Sequence, residues 1–80
     1  MKVRVDVTLK EGVLDPQGKA IGQALSTQGF TGILDVRAGK VIMLDLEETD
    51  STRAKDAAKL MAEKLLANLV IEDFTVTILT

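Results

Sequence analysis

The stretch Gly12-Val13-Leu14-Asp15-Pro16-Gln17-Gly18-Lys19-Ala20 decides the fold, because a strand pattern ends before it and a helix pattern begins within it. Asp15 is placed to cap that helix, since its carboxylate can accept a first-turn N–H that has no partner inside the helix. Pro16 then occupies the first helical position, where its missing N–H costs nothing and its fixed φ suits a helix. The stretch therefore predicts a helix that begins at about Pro16.

The residues on either side of this stretch follow two different periods. Residues 3–9 alternate between apolar and polar, which is typical of a strand with one buried face. Residues 16–28 repeat apolar side chains at helical spacing, which predicts a helix packed on one side. Gly29 is placed to end this helix in the left-handed conformation, with Phe30 completing a Schellman motif. The helical stripe consists of Ile21, Ala24 and Leu25.

The remainder of the chain repeats both patterns. Residues 34–38 and 41–46 alternate on either side of Ala38-Gly39-Lys40, which predicts a β-hairpin. Asp50 is placed to cap a second helix that runs to about Ala67, and Asn68 is expected to end it in the left-handed conformation. Residues 74–78 alternate again, and they predict a last strand whose apolar side chains share the face of the other strands.

The predicted order of elements is β-α-β-β-α-β, within one domain that spans residues 1–80. Right-handed crossovers place both helices on the same side of the sheet. The sequence therefore predicts an α+β fold, a two-layer ferredoxin-like sandwich with an antiparallel four-stranded sheet and two helices on one face. A chain this short buries only about 60% of its unfolded surface. It has no cysteine to reinforce it, so we expect it to gain stability by association with another chain.

Composition excludes several classes of function. Ten basic and twelve acidic residues are interspersed, and the only aromatic residues are Phe30 and Phe74, so we expect no nucleic-acid binding. The absence of histidine and cysteine removes the commonest general base and the commonest metal ligands. No apolar run approaches the roughly 20 residues of a membrane span. Met1-Lys2 leads directly into a strand, so we expect no signal peptide and a cytoplasmic protein.

Few side chains suggest a site. Asp45 and Glu47 share a strand face and could bind a hard cation or transfer a proton, but no other residues converge on them. We therefore predict no catalytic, cofactor-binding or metal-binding residue. The predicted hairpin tip is positively charged, and the outer face of the strand beside it is apolar, which favours a contact with another subunit. The predicted contact residues are Arg37, Gly39, Lys40, Val41 and Met43.

The opening stretch, followed by Ala24-Leu25 and Gly29-Phe30, resembles the PurS family, the small subunit of phosphoribosylformylglycinamidine synthase. Three further stretches agree with the family: Val36-Arg37-Ala38-Gly39-Lys40, Lys64-Leu65-Leu66-Ala67-Asn68 and Val70-Ile71-Glu72-Asp73-Phe74. The sequence departs from it at Ser51 and Leu69, where proline is common in the family.

This resemblance implies a non-catalytic role in de novo purine synthesis. The family's complex converts formylglycinamide ribonucleotide, ATP and glutamine into formylglycinamidine ribonucleotide. A glutaminase subunit releases ammonia, and a large synthetase subunit, which binds ATP and magnesium, consumes it. By this likeness the chain is a homodimeric bridge between those two subunits and holds no cofactor of its own.

Two other interpretations stay open. An ACT-like dimeric regulatory module has the same topology, and Gly18 and Gly22 could then admit a small ligand, such as an amino acid, at a dimer interface. A small enzyme with a carboxylate site is the third interpretation, and the narrow inventory of reactive side chains disfavours it.

Overall fold

The computed structural model describes residues 1–80 and contains three strands, two α-helices and one π-helical turn. The elements are β1 (Lys2–Leu9), α1 (Pro16–Thr27), β2 (Gly39–Asp45), α2 (Ser51–Met61), the π-helical turn (Ala62–Leu66) and β3 (Glu72–Ile78).

The sheet is antiparallel, with β1 between β2 and β3. Val5, at the middle of β1, lies opposite Ile42 of β2 and Val76 of β3. Because strand side chains alternate between the two faces, this register brings the apolar residues of all three strands to one face. The predicted strand alternation is therefore confirmed for β1, β2 and β3.

The core lies between this face and α2. Its fully buried β-branched side chains come from the central strand, and α2 contributes alanines, whose small side chains let a helix approach a sheet closely. Helical residues three or four apart lie on one side of a helix, so the spacing of these alanines aligns them on the sheet. The core residues are Val3, Val5, Val7, Ala54, Ala58, Ala62 and Ala67.

The prediction of a four-stranded sheet is wrong, because the sheet has three strands and residues 30–38 belong to none of them. The alternating residues 34–38 do not fold back on β2 as a hairpin. The N–H of Ala38 is bonded to the side chain of Asp15, and the guanidinium of Arg37 is bonded to carbonyls before α1. These bonds hold the segment against the junction of β1 and α1 and away from the free edge of β2.

The expected packing of α1 on the sheet is also absent. No α1 residue belongs to the core, and Ile21, on the predicted apolar stripe, is 40% exposed. The Cα radius of gyration is 15.9 Å and the longest dimension is 48 Å, whereas a compact 80-residue domain has a radius of about 12 Å. We define residues 16–38 as the arm, because they extend from the body formed by the sheet and α2.

Three of the four predicted helix ends are confirmed by the structure. Asp15 caps α1 by accepting the N–H of Gly18, and Asp50 caps α2 by accepting the N–H of Arg53. Gly29 has a φ of +95°, and the N–H of Phe30 bonds to the carbonyl of Leu25, as a Schellman motif requires.

The expected left-handed ending at Asn68 is wrong, because no residue other than glycine has a positive φ. The last helical turn is instead a π-helix that ends at Leu66, and Ala67 is extended. The side-chain oxygen of Asn68 then accepts from the backbone N–H of Val70. The backbone N–H of Asn68 donates to Glu72 Oε1. Hydrogen bonds to side chains therefore replace the left-handed residue at this turn.

Candidate functional site

The predicted contact residues separate into two groups. Lys40, Val41 and Met43 are exposed on β2, with Val41 58% and Met43 56% exposed. Val41 and Met43 lie opposite Asp6 and Arg4 of β1, so all four share the outer face of the sheet. These three β2 residues are available to another molecule, as the prediction requires.

Arg37 and Gly39 are also exposed, and both make contacts within the chain. The guanidinium of Arg37 donates from Nη1 to the carbonyl of Val13 at 3.0 Å and from Nη2 to the carbonyl of Lys10 at 3.1 Å. Gly39 begins β2, and a Cβ there would lie 2.8 Å from the carbonyl oxygen of Val7. That approach is too close for a side chain, so β2 can begin at this register only with glycine.

Asp15 is the centre of the junction between β1, α1 and residues 36–38. Its Oδ1 accepts the N–H of Gly18 at 2.8 Å, and its Oδ2 accepts the N–H of Ala38 at 2.6 Å. These two hydrogen bonds, helped by the nearby charge of Arg37, lower the pKa of Asp15 from its ordinary value, although its burial acts in the opposite direction. The side chain thus has a second role that the capping pattern did not predict.

Gly18 explains why the opening stretch needs glycine in the first turn of α1. A Cβ at Gly18 would overlap the carbonyl oxygen of Val36 and lie 2.8 Å from Asp15 Oδ2. The helix backbone can therefore lie against residues 36–38 only because there is no side chain here. Along α1, Gly18 and Gly22 line a groove of about 590 Å³ whose other wall is residues 33–37.

The arm leaves large apolar side chains in solvent. Leu34 is 99% exposed, Phe30 is 56% exposed and Ile33 is 39% exposed. A second exposed group lies beyond α2, where Leu65 and Val70 are each 83% exposed. Leu34 belongs to the alternating residues 34–38, which were expected to form a strand packed on the core, so its full exposure was not predicted.

The structure contains no group of three or more acidic, histidine or cysteine side chains that could hold a metal ion. Asp45 is the last residue of β2, and Glu47 is an exposed residue beyond it. No helix has the length and apolar character needed to cross a membrane.

Fourteen large apolar side chains are at least 38% exposed in this small domain. Large apolar side chains exposed in this number favour contact with other protein chains, as in a small α+β assembly subunit. A family model described as PurS, phosphoribosylformylglycinamidine (FGAM) synthase, matches residues 2–80. The chain belongs to the PurS family.

Individual relatives agree with this assignment. The Bacillus subtilis phosphoribosylformylglycinamidine synthase subunit PurS is 51% identical over 74 residues, which cover 91% of this chain and 86% of that protein. A crystal structure of Methanocaldococcus jannaschii PurS, described as a subunit of formylglycinamide ribonucleotide amidotransferase in the purine biosynthetic pathway, is 38% identical. It aligns with a TM-score of 0.86 over 95% of this chain and 92% of that one.

One similar structure is that of a complex. A chain in the structure of PurLQS from Thermotoga maritima aligns with a TM-score of 0.88 at 32% identity, over 98% of this chain and 95% of that one. The resemblance found in the sequence is therefore confirmed over nearly the whole chain. The relatives named here are synthase subunits, so they support the assembly interpretation and not the ACT-like one.

Proposed function

We propose that this chain is the non-catalytic small subunit of phosphoribosylformylglycinamidine synthase in de novo purine biosynthesis. In this role it bridges the glutaminase and synthetase subunits, so that ammonia from glutamine is used in the ATP-dependent formation of formylglycinamidine ribonucleotide. The observation that carries the proposal is the match to the PurS family over residues 2–80, together with the similar chain in the Thermotoga maritima complex. The chain would act in the cytoplasm and hold no cofactor, with ATP and magnesium bound by the synthetase subunit.

The decisive experiment compares two nitrogen sources. Product formation by the synthetase and glutaminase subunits is measured with and without this chain, once with glutamine and once with ammonium salt. If the chain couples the two active sites, glutamine-dependent synthesis needs it and ammonia-dependent synthesis needs it much less. Equal rates with and without the chain in both reactions would refute the proposal.

The chain would also associate with a second copy of itself. The exposed apolar side chains of the arm and the elongated shape support this, since association buries apolar surface that the single chain leaves in water. Sedimentation equilibrium tests it directly, because a dimer has twice the chain mass of 8.6 kDa. A single-chain mass at the concentrations used for activity would contradict self-association while leaving the bridging role open.

Lys40, Val41 and Met43 would form part of a subunit contact surface. Arg37 and Gly39 would hold the start of β2 in place beside that surface. A Met43→Asp substitution places a charge on the exposed outer face of β2. We expect it to reduce glutamine-dependent activity or self-association without unfolding the chain. Thr75→Asp is the matched control, because Thr75 is exposed on the same outer face but on β3, beyond Asp6 of the central strand. Equal effects of the two substitutions would remove β2 from the contact surface.

A further inference from the structure

The arm is attached to the body of the molecule only at its base. Every hydrogen bond between residues 16–38 and the rest of the chain ends on a residue between Lys10 and Asp15. The core contains no α1 residue that could add a second attachment. The direction of the arm therefore depends on a short stretch of chain and on the bonds made there.

Two side chains make the bonds that close this base. Asp15 stands where the chain enters the arm, and its Oδ2 accepts from Ala38, where the chain leaves the arm 23 residues later. Arg37 binds the carbonyls of Val13 and Lys10, which precede Asp15 in the same loop. The two ends of the arm are thus bonded both to each other and to the loop that follows β1.

We propose that Asp15 and Arg37 form a lock that fixes the orientation of the arm relative to the sheet. Asp15 is buried with only 7% of its surface exposed, so water competes weakly for its bonds. A fixed arm presents Ile33 and Leu34 in one position, which lowers the ordering cost of any association that uses them. The lock is a property of the single chain, and it does not depend on the bridging role proposed above.

Three substitutions separate the lock from an ordinary helix cap. Asp15→Asn keeps the size of the side chain and one acceptor oxygen, which can still cap α1, but its NH2 group cannot accept the second N–H, that of Ala38. Arg37→Lys keeps the charge and leaves the cap intact, but it loses the planar fork that reaches two carbonyls. Asp50→Asn is the matched control, because Asp50 caps α2 in the same way and accepts only from Arg53 at 3.0 Å.

The measurement is the distance between a spin label on the arm and one on the sheet. The chain has no cysteine, so Gln28→Cys and Thr75→Cys, both at exposed positions, introduce the only two labels. Labelled protein is diluted with an excess of unlabelled protein, so that only distances within one chain are seen. We expect one narrow distance distribution for the parent and for Asp50→Asn, and a broad one for Asp15→Asn and Arg37→Lys.

Narrow distributions in both lock variants would overturn the proposal, because the arm would then be held by something else, such as a second copy of the chain. If Asp15→Asn does not fold, Arg37→Lys alone decides the outcome, since its helix cap is intact. Amide exchange of Ala38 in unlabelled protein provides a second readout. We expect it to accelerate by about tenfold or more in Asp15→Asn and to stay close to the parent rate in Asp50→Asn. An unchanged rate in Asp15→Asn would also overturn the proposal.

Discussion

We predict that alanine has opposite effects on the stability of the chain at the two glycines of α1, Gly18 and Gly22. In Gly18→Ala the new methyl group overlaps the carbonyl oxygen of Val36 and comes within 2.8 Å of Asp15 Oδ2. Neither oxygen can move freely, because the first belongs to the backbone and the second accepts the N–H of Ala38. In Gly22→Ala the methyl group meets Val36 Cγ2 at 3.4 Å, which is an ordinary contact.

The expected free energies follow from two effects. Replacing glycine by alanine within a helix stabilises it by about 0.5–1 kcal/mol. Forcing a methyl group into a filled space costs about 1–3 kcal/mol. Gly18→Ala should therefore lower the free energy of unfolding by about 1–2 kcal/mol, and Gly22→Ala should raise it by about 0.5–1 kcal/mol. Since 1 kcal/mol corresponds to about 4–8 °C in a domain of this size, the two midpoints should differ clearly.

The assay is thermal and urea unfolding followed by far-ultraviolet circular dichroism, because the chain has no tryptophan or tyrosine to report by fluorescence. All variants are compared at one protein concentration, since association stabilises the folded state. A midpoint for Gly18→Ala at or above that of the parent would refute the reasoning. An equal loss in Gly22→Ala would also refute it, because the cost would then not come from the contact with Val36.

Two further predictions concern Asp15 and the core. The pKa of Asp15 is lower in the folded chain than its ordinary value of 3.8, so its bonds stabilise the fold fully above that value and are lost as the pH falls through the folded pKa. The stability difference between the parent and Asp15→Asn should therefore shrink on acidification in unfolding experiments, and a constant difference would contradict this. Val5→Ala, at a fully buried position of the central strand, should cost about 2–3 kcal/mol in urea unfolding. Val70→Ala, at an 83% exposed position, should change stability by less than about 0.5 kcal/mol, and equal effects would mean that the core is assigned wrongly.

Local patterns predicted most of the elements. The alternation in residues 3–9 predicted β1, and Asp15, Pro16 and Gly29 predicted where α1 begins and ends. These features could be read directly because each rests on residues within about five positions of one another, as in the cap bond from Gly18 to Asp15. The resemblance to the PurS family rests on the same local stretches, and the family comparison confirms it.

The predicted contact surface stays a prediction, and the structure adds to it bonds that the sequence did not indicate. Val41 and Met43 are exposed on the outer face of β2, as the apolar pattern of that face suggested, and Lys40 is exposed at the start of the strand. Arg37 is exposed, as its position at a predicted turn suggested, but its guanidinium also bonds to the backbone of the chain. Its bonds to Val13 and Lys10 span 24 and 27 residues, and no pattern near Arg37 indicates them.

The sequence by itself determined the types of β1, α1, β2, α2 and β3, the helix ends at Asp15, Gly29 and Asp50, the apolar face of each strand and the family of the protein. Only the tertiary structure decided that residues 34–38 leave the sheet, that α1 lies outside the core and that Asp15 bonds to both ends of the arm. The physical reason is the range of the interactions. Periodicity and capping depend on neighbours along the chain, whereas an alternating segment becomes a strand only if a partner strand takes up its backbone hydrogen bonds. Here the side chain of Asp15 takes up the N–H of Ala38 instead.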